Sequence, residues 1–430
     1  MKRALLVIVL AVTAVVCAAG QEVSERQEIA VFGLSYYDYS IPGSALGAID
    51  QKIQEVFVNL GRFDVLGMNY RLTADDVSEF IDKISELKES SVELPEEVLM
   101  GHETFTEADL NKLIGSFIVV IPSVSFFNAE YSEGDYDVTL ETSFSFVNVQ
   151  DSKAIGQFSI ETTGYDENKD KAVKDAVDSI PTELQYEVRS LEPFKLKTGI
   201  LETLPGGKAI IEFGSNMGVT VGDEYAIVRK ETLSTGHEIK KEIGLLIISE
   251  VNKEVSKGDI IYSQDEVVPG DQLEEIPRKG FDSTVYAHAF VDSGGYGGLL
   301  LGVQQSYFRG LKNFFPFVGV ELPLVQSGAA AVFTNYFPAN VYVGGGLKWH
   351  LWRLELAPAG AIGMGTQIPI REGYETRLSH FGGLGQVQLR YLANKSLRVF
   401  ADAGYTYWMG MDVDSSYGGP FAGIGAIIRY

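Results

Sequence analysis

Two rhythms of apolar and polar residues divide this chain. Between residues 28 and 192, strand-like and helix-like stretches alternate. "EIAVFGL" (28–34) is an apolar run of strand length, and "GSALGAIDQKIQEVFVNLG" follows with Leu46, Ile49, Ile53, Val56, Phe57 and Leu60 at helical spacing and Gly61 placed to stop it. "FDVLGM" predicts a second strand. "TADDVSEFIDKISELKES" predicts a second helix, with Thr73 as cap and acids in its first turn. Three strands come next, "SFIVVIPSVSFFNAEY", "YDVTLETSFSFVNV" and "KAIGQFSIETTGY", before a closing helix, "ENKDKAVKDAVDSIPTELQYEVRSL". That order predicts an α/β (α+β) domain with one mixed sheet over residues 21–194. Residues 195–275 read as short strands broken by glycine turns at Gly214, Gly218 and Gly222, a small β domain.

From Phe281 onward every strand-length segment alternates. One register is apolar: Val285, Ala287, Ala289 and Val291 in the first segment, Val341, Val343, Leu347, Trp349 and Leu351 in the fourth, and Ala426, Ile428 and Tyr430 at the end. The other register carries a few charges of both signs: His288, Glu321, Lys348, His350, Glu355, Arg390, Arg398, Asp402 and Arg429. Eight such segments can be counted, the weakest being "GLLLGVQQSYF", where Gln305 falls on the apolar face. The connections after segments 2, 4 and 6 are short ("RGLKN", "WR", "ANKS"), whereas those after 3 and 5 are long. An even count, alternating strands and alternating loop lengths predict an eight-stranded antiparallel transmembrane β-barrel over residues 276–430, its polar register inside and the preceding domains on the short-turn side. Trp349, Trp352, Tyr391, Tyr405, Tyr407 and Trp408 read as interface girdles. The same segments in a soluble sandwich or lipocalin-like barrel would turn the polar register outward, and that register holds too little charge for a wet exterior. Eight strands leave room only for side chains, so the expectation is a filled lumen with Asp402 and Glu355 bonded to neighbouring Arg or Lys.

Composition sharpens the boundary. Residues 21–280 hold 23 Lys and Arg against 49 Asp and Glu, while residues 281–430 are nearly neutral and contain all three Trp and 24 of the 46 Gly. An acidic, water-facing part argues against nucleic acid as a partner. The start, "MKRALLVIVLAVTAVVCAAGQEV", has a basic end, an apolar run and small residues at 18 and 20, the shape of a signal peptide (1–20) cut before Gln21. Cys17 also permits a lipoprotein signal, although Val16 is a poor residue before a lipidated Cys. A cut at 20 leaves no cysteine, and stability then rests on packing and hydrogen bonds.

Three resemblances accompany these residues. "IAVFGL…IDQKIQEVFVNLGRFDVL" resembles the periplasmic α/β domain of the curli-secretion lipoprotein CsgG and related envelope proteins, which implies envelope assembly and no catalysis. The Gly-x3-Gly-x3-Gly-Asp spacing around "GSNMGVTVGDE" resembles the SH3-like C-terminal domain of the flagellar assembly protein FlgT. The eight segments and terminal aromatic resemble the OmpA-type small barrels, with the soluble part placed first. This last resemblance implies outer-membrane lipid and the barrel-assembly machinery as partners, and Tyr430, with Ile428 and Ala426, as the insertion signal.

Candidate chemistry is sparse. "GSNMG" lacks the Gly-Lys-Ser/Thr ending of a phosphate loop. The five His, at 102, 237, 288, 350 and 380, have no metal-ligand spacing, and "DVDSSYGG" lacks the Gly and final Glu of an EF-hand. Ser379 and His380, with Glu372 and Glu375 nearby, invite a hydrolase reading. Neighbours on a strand point to opposite faces, so they are expected to form a poor pair. The chain is therefore expected to be a non-enzymatic outer-membrane protein without cofactor or metal, with a structural, envelope-assembly or interaction role and a periplasmic protein or peptidoglycan as possible partner. The alternative is a periplasmic lipoprotein-like assembly factor for a flagellar or secretion system, with a soluble β C-terminal domain.

Overall fold

The mixed sheet expected from the first 190 residues forms around β1 (Gln27–Val31), whose Ile29, Ala30 and Val31 are buried. In this computed structural model residues 22–430 are described, apart from 37–40, 74, 90–93, 117, 292–296, 327–335, 370–376 and 412–415. The expected signal peptide, Glu372, Glu375 and the acids of "DVDSS" lie outside the described residues. β1 pairs in parallel with β2 (Phe63–Gly67) on one side and β5 (Ile118–Ser132) on the other, and β6 (Asp135–Asn148) and β7 (Lys153–Asp166) extend the sheet antiparallel. Helices α1 (Gly43–Asn59) and α4 (Lys169–Ser190) cover one face, burying Ile49, Ile53, Phe57, Ala176, Ile180 and Leu184. Helices α2 (Asp76–Glu89) and α3 (Glu107–Gly115) cover the other through Phe80, Ile84, Leu110 and Leu113. A Cβ on Gly164 of β7 would lie 1.9 Å from the Ala172 carbonyl oxygen, so α4 can press onto that strand only over a glycine. Thr73 works with Asp76, whose carboxylate accepts from the Thr73 amide at 2.9 Å and from its hydroxyl at 2.7 Å. The hairpin of β3 (Glu97–Met100) and β4 (Glu103–Thr106) with α3 was not anticipated, although Thr106 caps that helix through the Asp109 amide.

The small β domain is a closed barrel of six strands: β8 (Lys197–Leu204), β9 (Lys208–Ile211), β10 (Glu224–Thr232), β11 (Glu238–Val251), β12 (Ser256–Ser263) and β13 (Gln272–Ile276). Its core is Ile200, Ile211, Tyr225, Ile227, Leu246 and Leu273, among others. Gly218 (φ 74°) and Gly222 (φ 91°) make left-handed turns. Gly214 differs from the expectation: its φ is −132°, and it is glycine because a Cβ would meet the Asn252 carbonyl oxygen at 2.2 Å.

The last 150 residues form a closed antiparallel barrel of β14 (Phe281–Val291), β15 (Gly297–Tyr307), β16 (Phe314–Gln326), β17 (Tyr336–Leu347), β19 (Leu354–Pro369), β20 (Arg377–Asn394), β21 (Leu397–Gly410) and β22 (Tyr417–Arg429). The three residues of β18 (Trp349–Leu351) continue β17 beyond a break at Lys348, so the strands number eight around the barrel. Each strand pairs with its chain neighbour, and β22 closes the circle on β14 from Asp282↔Arg429 to Phe290↔Phe421. Outward positions are apolar, as at Val303, Val343, Leu351, Ile362, Leu389 and Ile424. Among the described residues no charged side chain on β14 to β22 is exposed. No helix among the described residues is long and apolar enough to cross a membrane.

Candidate functional site: the filled lumen and its soluble cap

Strand alternation sends the polar register into the lumen, and the structure places all nine expected charged residues there. Eight are buried and His350 is half-buried. They fall into two groups. Nearer the long-loop end, the His288 Nε2 lies 3.1 Å from Asp402 Oδ2, with Glu321 3.9 Å from its Nδ1 and the ring stacked on Phe421 at 4.3 Å. Tyr286 donates to Glu321 at 3.1 Å and shares a 2.7 Å hydrogen bond with Tyr342. Nearer the short-turn end, Glu355 gathers Arg390 at 2.7 Å, His350 at 2.8 Å and Arg398 at 3.0 Å. Asp402 differs from the expectation, since its partners are His288 and, at 3.4 Å, Gln388 rather than Arg or Lys. Arg390 is turned to other partners, its Nε donating to Gln388 and its Nη1 to Glu355. Phe315, Phe317, Phe400, Trp408 and Phe421 pack in the lumen between and beside these groups.

Two further expectations are corrected. Trp408 is fully buried inside the barrel rather than in an exterior girdle, because it shares the inward parity of Asp402 and Thr406. Exterior aromatics are instead Tyr307, Phe314, Trp349, Trp352 and Tyr391 towards the short turns and Phe381, Tyr405 and Tyr407 towards the other end. Ser379 and His380 do not diverge. The pairing slips between Gly365 and Thr366, a bulge opposite Ser379, and this brings Ser379 Oγ to 2.7 Å from His380 Nδ1. Gln305, the misfit on the apolar face, sits at the short-turn rim and bonds Ser283 at 2.5 Å and the Tyr430 hydroxyl at 3.2 Å. Ile428 is exposed on the outer surface and Ala426 half-exposed beside it. Among the described residues no three His, Cys, Asp or Glu side chains gather as a metal site would require.

Every short turn of the barrel rests on the soluble part. The Gly310 amide donates to the Val221 carbonyl at 2.8 Å, Arg353 lies over Tyr262 at 3.8 Å, and Lys395 meets Glu242 at 3.2 Å. At the centre of this contact Glu224 of β10, fully buried, ion-pairs with Arg278 at 3.1 Å and with Arg429 of β22, which also holds Asp282 at 3.1 Å. Burial pushes the Glu224 carboxyl up, but Arg429 and Arg278 outweigh it and hold the group below its usual range. A second cluster locks the α/β domain onto the small barrel: Glu275 takes Arg62 at 2.7 Å and Arg189 at 2.7 Å, and Arg189 reaches Asp223 at 2.9 Å. Burial raises the Glu275 carboxyl, while Arg189 and Arg62 together bring it down to about 2. Sequence reasoning missed both clusters. Asp282 was within reach, because it shares the parity of Tyr286 and His288, but Glu224 and Glu275 stand alone beside turns and strand ends and read as solvated.

The geometry defines a class: a closed eight-stranded barrel with its charge inside and its apolar surface outside, built onto a soluble two-domain part. No family model and no curated protein matches the sequence. Among solved structures, the PelC dodecamer from Paraburkholderia phytofirmans is 10% identical, with 38% of this chain and 94% of that one covered and a TM-score of 0.22. Neisserial surface protein A (NspA) is 13% identical over 35% of this chain and 97% of that one, TM-score 0.26. Ail, the attachment invasion locus protein of Yersinia pestis, is 14% identical over 35% and 99%, TM-score 0.23. Likenesses of this size carry no weight of their own. Strand pairing and the burial of charge support the functional reading instead.

Proposed function

We propose that this chain is a non-enzymatic outer-membrane β-barrel protein whose barrel anchors, and is capped by, a rigid soluble part that extends into the periplasm and serves envelope assembly or interaction. One observation carries the reading: none of the described charged side chains on the barrel strands is exposed, while large apolar side chains cover its outside. In water this arrangement would be inverted, since apolar surface would be wet and ionised groups dry. In lipid it is required, because closed strands satisfy every backbone group and the apolar face meets acyl chains. The short turns face the soluble domains, so those domains lie on the periplasmic side and the long loops outside the cell. Outer-membrane lipid and the barrel-assembly machinery are then the necessary partners, with Tyr430 read by the latter. The acidic α/β domain, similar in element order to the CsgG-like domains, and the small barrel, with its FlgT-like turn spacing, are the surfaces offered to a periplasmic protein or to peptidoglycan.

The test combines fractionation with gel migration. Full-length protein should co-fractionate with the outer membrane and migrate faster in SDS before boiling than after. Cys introduced at Gly373, which lies outside the described residues, should react with an impermeant label on intact cells, and Cys at Asn394 should not. Purely periplasmic fractionation without heat-modifiable migration would replace this reading with the soluble assembly-factor alternative, and reversed labelling would invert the orientation.

A further inference from the structure

Where the small barrel meets the membrane barrel, the junction holds a cavity of about 30 Å³, lined among others by Glu224, Asp259, Lys348, His350, Arg398 and Arg429. A water needs on the order of 10–15 Å³ of such space, so the cavity has room for a water-sized species. Its buried cations are not equally provided for. Arg278 and Arg429 share Glu224, Arg429 also holds Asp282, and Arg390 and Arg398 share Glu355 with His350. Lys348 stands apart. It is 9% exposed, yet no carboxylate lies within the 4.0 Å of an ion pair and its ammonium makes no hydrogen bond among the described residues. The Phe308 ring lies beside it, 5.4 Å from the ammonium to the centroid. The Arg429 Nη1 is buried without a hydrogen-bond partner.

Charge balance points the same way. Lys312, Lys348, Arg398 and Arg429 line the cavity against Glu224 and Asp259, and the surrounding groups Arg278, Arg390, Glu355, Asp282 and Glu250 (the partner of Lys312) leave one positive charge in excess before His350 takes a proton. Asp259 is half-buried, has a buried Oδ1 without a partner, and makes no ion pair with Lys348. A buried cation persists only with a counter-charge or hydrogen-bond partners. We infer that this cavity is a binding site for one small monovalent anion of halide size, held by Lys348 and Arg429 with Arg398 alongside. The anion completes the joint between the soluble cap and the barrel, which makes the firmness of that joint depend on chloride.

The test uses the full-length protein in detergent. In crystals grown with bromide in place of chloride, an anomalous peak in the cavity beside Lys348 is expected; density of a water without anomalous signal there overturns the proposal. In thermal unfolding, sodium chloride should raise the midpoint by on the order of a few degrees over sodium gluconate at equal ionic strength, and the rise should grow with the logarithm of chloride concentration. Lys348→Met should abolish that difference while keeping heat-modifiable migration. Equal wild-type midpoints in the two salts would mean that water bridges Lys348 to Asp259, or that Lys348 is neutral, and would refute the anion. Should Lys348→Met fail to fold, the bromide crystals of the unaltered chain still decide.

Discussion

Glu224→Leu removes the fully buried carboxylate at the centre of the contact between the small β domain and the end of the barrel. Leucine keeps the bulk and loses the charge. Arg278 would be left with the Arg429 carbonyl at 3.1 Å and the Lys395 carbonyl, and Arg429 with Asp282 alone. Arg278 and Arg429 are 7% and 3% exposed, so water does not replace what is lost. Removing one partner of a buried ion pair costs about 3–5 kcal/mol, which multiplies the open population of the junction by roughly a hundred to several thousand. The linker supplies its own reporter, because "PRKG" places two trypsin sites, Arg278 and Lys279, at the joint. In the unaltered protein Arg278 is buried and the Lys279 ammonium is held by Glu183 at 2.6 Å. Cleavage there follows opening of the joint when opening and closing are fast. The assay is limited trypsin digestion in detergent, with the fragment beginning at Lys279 or Gly280 followed by mass spectrometry. Unboiled SDS migration shows whether the barrel itself is intact. A cleavage rate in Glu224→Leu within about threefold of the unaltered rate, with an intact barrel, would show that Glu224 does not hold the joint and that the turn contacts carry it.

Three further outcomes are expected. The Glu275 carboxyl is held at about 2 against an ordinary 4.5, so its contribution, roughly 3 kcal/mol, is complete above pH 4.5 and lost as pH falls towards 2; calorimetry across that window should show the loss, and Glu275→Gln should flatten it. Planar-bilayer recordings of the full-length protein should show no stable large conductance steps, because aromatic side chains and ion pairs fill the lumen; steady large steps would require an open pore. Tyr430→Asp should leave the protein in the periplasm, since the last residue bonds Ser283 and Gln305 at the seam; normal outer-membrane levels would reject Tyr430 as an insertion signal.

The sequence exposed whatever repeats with a fixed period. The period of two places His288, Glu321 and Asp402 inside and Val285 and Ile424 outside, because a strand has only two faces. The same rule, applied strictly, would have put Trp408 inside. It failed at Ser379, where a bulge, a local two-against-one mismatch that side-chain patterning does not announce, turned two neighbours together. It was silent on Glu224, Arg62, Arg189 and Glu275. Arg62, Arg189 and Glu275 meet from distant parts of the chain, Glu224 meets Arg278 and Arg429, and each alone resembles an ordinary surface charge. Their burial is a property of the docking of domains, which no local pattern encodes. Gly218 makes the same point in backbone form. Its Cβ would stand 1.9 Å from the Leu60 carbonyl oxygen, so a turn glycine in one domain is also what lets the neighbouring helix end come close.

The seam between β14 and β22 sets an order of events. Asp282 and Arg429, which meet there, lie 147 residues apart, so the barrel cannot close until its final strand is available. Arg429 also reaches Glu224 in the small domain. That domain precedes the barrel in the chain and has a hydrophobic core of its own. It can fold first and present a fixed acceptor to which the last strand is drawn, sparing part of the loop-closure entropy that slows non-local pairing. The soluble part then acts as a template for barrel closure. Membrane assembly of this chain should be faster when the small domain is already folded than when the two fold together.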